Sequence, residues 1–240
     1  DVELMKQIGL KAYRLSISWP RVFPDGKGKP NEKGIDFYKR LINLLVQNGI
    51  KPAVTLYHWD LPQKLQDAGG WANRDTAYYF EEYARYMYKE LGDPVSSWIT
   101  HNEPYVVAFV GNWEGRHAPG IRDFSTALRV SHHLLLSHGL AVKAYRESGL
   151  KGEIGITLNM NPVYPASNDQ KDVEAAERFD GFHNRWFADP VLKGEYPRDM
   201  LDWYSKRVVL PEIHSGDMGI ISAPIDFLGL NNYFSSSIKA

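Results

Sequence analysis

An α/β fold on parallel strands, of the (β/α)8 barrel type, is predicted by two features of the sequence. Five short apolar runs alternate with helical patterns along the 240 residues. The runs are nearly continuous in apolar residues, as strands covered on both faces are. Polar and aromatic residues then gather after each run: Trp19 and Arg21, His58 and Trp59, Asn102 and Glu103, Asn159 and Asn161, Asn231 and Tyr233. A doubly wound sheet collects ligand residues where strand order reverses, whereas a barrel decorates the C-terminal ends of successive strands; the barrel is therefore favoured. Only five of eight strands can be placed, so the expectation is a partial barrel with two open edges.

Taken in order, residues 1–9 have the spacing of an amphipathic helix closed by Gly9, an element cut into at its start. Residues 12–18 (AYRLSIS) read as the first strand. A Pro- and Gly-rich loop through Pro30 leads to a helix over 34–47, stopped by Asn48-Gly49. The second strand, 52–57 (PAVTLY), runs into His58-Trp59-Asp60. A helix over 76–91 precedes the third strand, 97–100, and a long helix over 125–148 ends at Gly149. The fourth strand is 153–158 (EIGITL), followed by helices over 171–187 and 199–206 and a fifth strand at 226–230 (DFLGL).

Basic and acidic side chains number 28 and 29, so no net field would draw the chain to nucleic acid or an anionic membrane. No run approaches the roughly 18 apolar residues of a spanning helix, and none has the layout of a secretory signal. Cysteine is absent, which removes disulfides, thiolate metal sites and thiol nucleophiles and fits a reducing, cytoplasmic setting. His132, His133 and His138 do not align one helical turn apart, so packing or surface roles are expected of them rather than metal binding.

The strand-end cluster carries few charge-transfer groups and many neutral hydrogen-bonding ones, with Trp19, Trp59, Trp98 and Trp113 among or near them. That mixture suits a neutral, polyhydroxylated ligand: apolar ring faces stack on indole while hydroxyls meet His, Asn and Tyr. Glycoside hydrolysis needs two carboxyl groups, an acid and a nucleophile or base. Glu103, closing the segment Trp98-Ile99-Thr100-His101-Asn102-Glu103-Pro104, is the candidate acid. Asp60, Glu114, Asp123, Glu195 and Asp226 are poor partners for it. They precede a turn, sit in loops or, for Asp226, open a strand at the wrong end. The second carboxylate is expected outside these residues.

The sequence resembles the family 1 glycoside hydrolases, the β-glucosidase and 6-phospho-β-glycosidase group, over essentially all 240 residues. The resemblance is carried by YRLSISWPRVFP (13–24), NEKGIDFYKRLI (31–42), TLYHWDLPQKL (55–65), GGWANRD (69–75), WITHNEP (98–104), RWFADPVLKGEYP (185–197) and DFLGLNNY (226–233). It implies a (β/α)8 barrel that cleaves β-linked sugars with retention and without a cofactor. Residues 1–240 would be the central part of that single catalytic domain, strands two to six. Glu103 would be the acid/base and Asn102 the residue that holds the sugar 2-hydroxyl, with His58 and Trp59 binding the glycone. Arg14 and Tyr233 would hydrogen-bond the nucleophile, with Asn231 beside them as a further substrate-binding residue. The nucleophile itself, on strand seven, would follow residue 240, so the segment alone is expected to be inactive.

The implied partner is a β-linked glucoside or short β-glucan, with a 6-phosphoglycoside as the alternative. A non-catalytic segment pairing with a complementary fragment or a second copy is a third reading, since open edges invite association. Arg14, in an apolar strand, is expected to be a buried guanidinium needing a polar partner. His101 departs from the resemblance; strand alternation turns it away from Thr100 and Asn102 to pack behind the site, or else toward the loop after Glu103. Asn232 departs from it as well. Trp71 either walls the site or covers the barrel edge, and Trp113 either stacks on the ligand or anchors its loop. His183 and Trp186 are expected to pack their helix, and Arg185 to form a salt bridge or cap.

Overall fold

The computed structural model describes all 240 residues, which fall into two compact units. The first comprises Asp1–Asn102, Leu140–Ile156 and Pro224–Leu228; the second comprises Glu103–Gly139, Thr157–Ala223 and Gly229–Ala240. In chain order the elements begin α1 (Val2–Gln7), β1 (Ala12–Ser16), α2 (Trp19–Val22), α3 (Glu32–Gln47), β2 (Lys51–Tyr57), α4 (Gln63–Asp67), α5 (Asp75–Leu91) and β3 (Ser97–Asn102). They continue with α6 (Phe124–Ser148), β4 (Glu153–Asn159), β5 (Val163–Pro165), α7 (Gln170–Asp180), α8 (Trp186–Lys193), α9 (Arg198–Ser205), α10 (Asp217–Ile221), β6 (Phe227–Asn231) and β7 (Ser236–Ile238).

Five strands form one sheet in the order β1-β2-β3-β4-β6, so the sheet follows the chain. β1 pairs parallel with β2, with Ala12 opposite Lys51, and β2 with β3, with Ala53 opposite Ser97. β4 runs the same way: Glu153 N–H donates to Ser96 O, and Glu103 N–H donates to Thr157 O. So does β6, through Asp226 N–H to Ile154 O and Met160 N–H to Asn231 O. All five expected strands are present. The second unit adds a small parallel pair, β5 with β7, too short for a residue pattern to betray.

Two expectations about burial are corrected. The strands are not uniformly covered: β1 and β6, each with a single neighbour in the sheet, are exposed or half-buried along their length, while β2 to β4 are largely enclosed. Arg14, on β1, is accordingly exposed as a residue rather than buried, while its guanidinium bonds to the buried side chains of Thr55 and Asn102.

In the first unit, α3 buries Ile35, Tyr38, Ile42 and Leu45, one stripe at helical spacing. An aromatic nest forms around Trp19, whose ring stacks on Tyr83 (5.2 Å between centroids, 9° between planes) and meets Phe80 edge-on. His101 belongs to this nest, stacked on Phe80 at 4.5 Å beside Tyr57 and Trp71. It therefore packs behind its strand, among these rings.

In the second unit the core is again aromatic. Trp186 packs on Tyr196 and Tyr204 and donates through Nε1 to Ser131 Oγ (2.8 Å). His132 is wholly buried and bridges Tyr196 Oη (3.0 Å) and Asp217 Oδ2 (2.9 Å), tying α6 to α10. Gly139 permits their approach, because a Cβ there would overlap the backbone carbonyl of Ile220. The helix expected over 171–187 is broken: α7 ends at Asp180, a wide π turn occupies Gly181–Arg185, and α8 follows. No helix is long and apolar enough to cross a membrane.

Candidate active site

The first unit gathers a polar group at the ends of β1, β2 and β3. Arg14 donates through Nη2 to Asn102 Oδ1 (2.7 Å) and through Nε to Thr55 Oγ1 (3.1 Å). Trp59 donates through Nε1 to the Asn102 carbonyl (2.9 Å), so one asparagine is held by its side chain and its backbone at once. Asn102 is buried, while His58 and Trp59 are exposed with rings 5.1 Å apart. Trp59 has φ 79°, the left-handed region that non-glycine residues seldom enter. Such a conformation costs roughly 1–3 kcal/mol and clusters at functional sites. Beside it, burial holds the Asp60 carboxyl above the ordinary range.

In the second unit the centre is Glu103, the other non-glycine residue at positive φ (51°). Pro104 follows and, lacking an N–H, cannot continue a strand ladder. The side chain is buried, and its Oε1 accepts from Asn231 Nδ2 at 2.5 Å, linking the ends of β3 and β6. A cavity of about 330 Å³ opens beside it, lined among others by Glu103, Tyr105, Asn159, Asn161, His183 and Asn231.

Two π turns border this cavity. Val106–Val110 directly follows Tyr105, and Gly181–Arg185 contains His183. Single-turn π distortions of this kind are frequent at functional sites. The Tyr105 ring lies 4.4 Å from that of His183, and burial, then Glu114, pushes the Tyr105 hydroxyl above its ordinary range. Asn184 accepts from Asn161 N–H (3.1 Å) and donates to Asn161 O (2.8 Å) and Asp180 Oδ1 (2.7 Å), fastening the end of β4 to the π turn. Arg116 also lines the cavity and is ion-paired with Glu114.

Of the seven expected site residues, Glu103, Asn231 and Tyr233 line one cavity of the second unit. Arg14, Asn102 and Trp59 form one bonded group in the first, where His58 also lies. Tyr233 is 81% exposed. Trp19 and Trp98, read as members of a sugar-facing cluster, are fully buried core residues, because each side chain turns into the apolar layer. Trp71 is buried and donates to Tyr57 Oη (3.0 Å). Trp113 packs on Phe124 and Phe182 at a separate apolar cavity. Arg185 bridges Asp180 and Asp199, the structural role expected.

Sequence reasoning missed Tyr105 and Arg116, and took His183 for helix packing. No group of three or more potential ligand side chains is placed to hold a metal ion.

A parallel α/β sheet carrying a buried carboxyl at a strand's C-terminal end, amid amides and aromatic rings, has the layout of a barrel-type protein. The chain belongs to glycosyl hydrolase family 1, whose family model matches residues 1–240. Its five parallel strands form part of that family's (β/α)8 barrel. It is 57% identical to beta-glucosidase A of Acetivibrio thermocellus over 239 residues, covering 100% of this chain and 53% of that protein. It is 43% identical to the 6-phospho-beta-glucosidase GmuD of Bacillus subtilis, covering 100% of this chain and 52% of that one. The structure of the GH1 beta-glucosidase from Exiguobacterium antarcticum B7 superposes with TM-score 0.95 at 48% identity, covering 98% of this chain and 53% of that chain. The chain thus spans about half the length of the curated relatives it matches.

Proposed function

We propose that these residues are the central part of a retaining β-glucosidase acting on terminal β-D-glucosidic bonds, in which Glu103 is the acid/base. The observation that carries the reading is the environment of Glu103: a buried carboxyl at positive φ, one oxygen held by Asn231, beside a cavity lined with neutral hydrogen-bonding groups. Glu103 protonates the departing glycosidic oxygen while a second carboxylate, supplied from outside these residues, attacks the anomeric carbon; Glu103 then takes a proton from water to release the sugar. Asn102, His58 and Trp59 hold sugar hydroxyls and ring faces, and Arg14, Tyr233 and Asn231 orient the carboxylates. No cofactor enters this chemistry. We place it in the cytoplasm, the setting that a cysteine-free chain fits.

The relative named as a 6-phospho-beta-glucosidase supplies the alternative substrate. A neutral sugar is preferred here because Arg116, a cation at the cavity, is already engaged by Glu114. A segment that only associates with a complementary fragment or a second copy is the remaining reading.

The test measures hydrolysis of 4-nitrophenyl β-glucoside by the 240-residue chain, and by the same chain joined to the remainder of a family 1 barrel. The joined protein is expected to turn over, with Glu103→Gln costing about 10²–10⁴-fold, and the chain alone to be inactive. Robust turnover by the chain alone, lost on Glu103→Gln, sinks the external nucleophile. Preference for the 6-phosphorylated substrate selects the alternative.

A further inference from the structure

Beyond Glu103, the cavity of the second unit holds a polar pair whose chemistry is constrained. Asn161 and His183 are 6% and 7% exposed, and Asn161 Nδ2 lies 3.1 Å from His183 Nε2. A carboxamide nitrogen only donates. With the amide in this orientation His183 Nε2 accepts, and the neutral imidazole carries its ring proton on Nδ1. Nδ1 is enclosed and has no hydrogen-bond partner. The ring lies between Phe179, stacked at 5.7 Å and 6°, and Tyr105, 4.4 Å away, contacts that hold its present orientation. With Nδ2 committed to His183, Asn161 presents Oδ1 as an acceptor at the cavity it lines, and that oxygen carries no hydrogen bond of its own.

We infer that His183 is a positioning residue that fixes the Asn161 amide with its oxygen toward the cavity, selecting a ligand hydroxyl at that point. The inference rests on the reading of this cavity as a sugar-binding one. An imidazole that accepts cannot be protonated, and burial holds His183 below its ordinary range, with Asp180 opposing. Glu103, Tyr105, Arg116 and Tyr233 are the other titratable groups at the cavity. A ligand offering an acceptor where the hydroxyl should be would face Oδ1 lone pair to lone pair, and an apolar one would leave that oxygen unpaired.

Two measurements on the 240-residue chain test this. Long-range proton–nitrogen correlation spectra at pH 7 are expected to show His183 protonated on Nδ1 and unprotonated on Nε2. A proton on Nε2, alone or in the imidazolium, overturns the inference whatever the ligand. A nuclear magnetic resonance titration with cellobiose then compares the wild type, His183→Phe, Asn161→Leu and the double variant. Each single change is expected to weaken binding about ten-fold, with the double variant no weaker than Asn161→Leu. Additive losses, or unchanged affinity in His183→Phe, overturn the coupling. Absence of wild-type cellobiose binding overturns the sugar reading instead, and the positioning role is then decided by the wild-type spectrum, which also serves if His183→Phe does not fold.

Discussion

The two units treat their polar residues differently. In the first, Arg14, Thr55, Asn102 and Trp59 satisfy one another across three neighbouring strand ends. In the second, Glu103, Asn231, Asn161 and His183 come from the position after β3, from β6, the turn after β4 and a π turn, and they line a cavity. A group that bonds within itself is rigid before ligand arrives, which lowers the cost of orienting one. A cavity lined by a carboxyl and amides instead sets polar groups around the space an incoming partner would fill. The strained φ of Trp59 and that of Glu103 mark one residue in each.

If the units are separate cooperative bodies, truncating the central indole of each should loosen only its own. Trp19→Ala and Trp186→Ala are each expected to cost roughly 3–5 kcal/mol, with amide exchange rising in the first unit for one and in the second for the other. Equal loss of protection in both units from either change would break the comparison.

His138, buried in the second unit, is pushed by burial from 6.5 down to about 3. Its folded pKa lies below its unfolded one, so the unfolded chain binds the proton first as pH falls. The stability it contributes is complete above pH 6.5 and drains away from there toward pH 3, by up to a few kcal/mol. Urea denaturation across that window should show the slope, and His138→Leu should reduce it between pH 6.5 and 4.5, above the range where carboxylates titrate.

Arg14→Met, which strips Asn102 Oδ1 and Thr55 of a donor, is expected to cost about 0.5–1.5 kcal/mol by equilibrium denaturation. Smallest is Arg85→Ala. This arginine pairs with Glu81 and Glu147 at the surface of the first unit, and exposed pairs contribute about 0.5 kcal/mol or less, diminished further by salt. A loss as large as that of Arg14→Met would erase the distinction between a strand-end network and an ordinary surface pair.

The strands were legible because buried parallel strands are written as local apolar runs. Glu103 was legible because an exposed-type residue closes such a run before a proline. His101 was legible in part, since alternation alone turns it from Asn102, but its stacking on Phe80 depends on α5 lying across the strand. His183 was not legible. Its helical pattern is unbroken in sequence, and the π turn that carries it to Asn161 arises from packing. Trp19 and Trp98 misled because tryptophan serves sugar faces and aromatic cores alike, and only burial tells them apart.

By itself the sequence determined the α/β class, the parallel order of the strands and the position of Glu103. These follow from residue periodicity and from the fixed direction of side chains along a strand. The tertiary structure alone decided that Asn231 reaches Glu103 across 128 residues, that Arg14 lies exposed on β1, and that His183 and Asn161 meet. Such pairings depend on which distant segments share space, and chain closure over long separations is encoded in no local pattern.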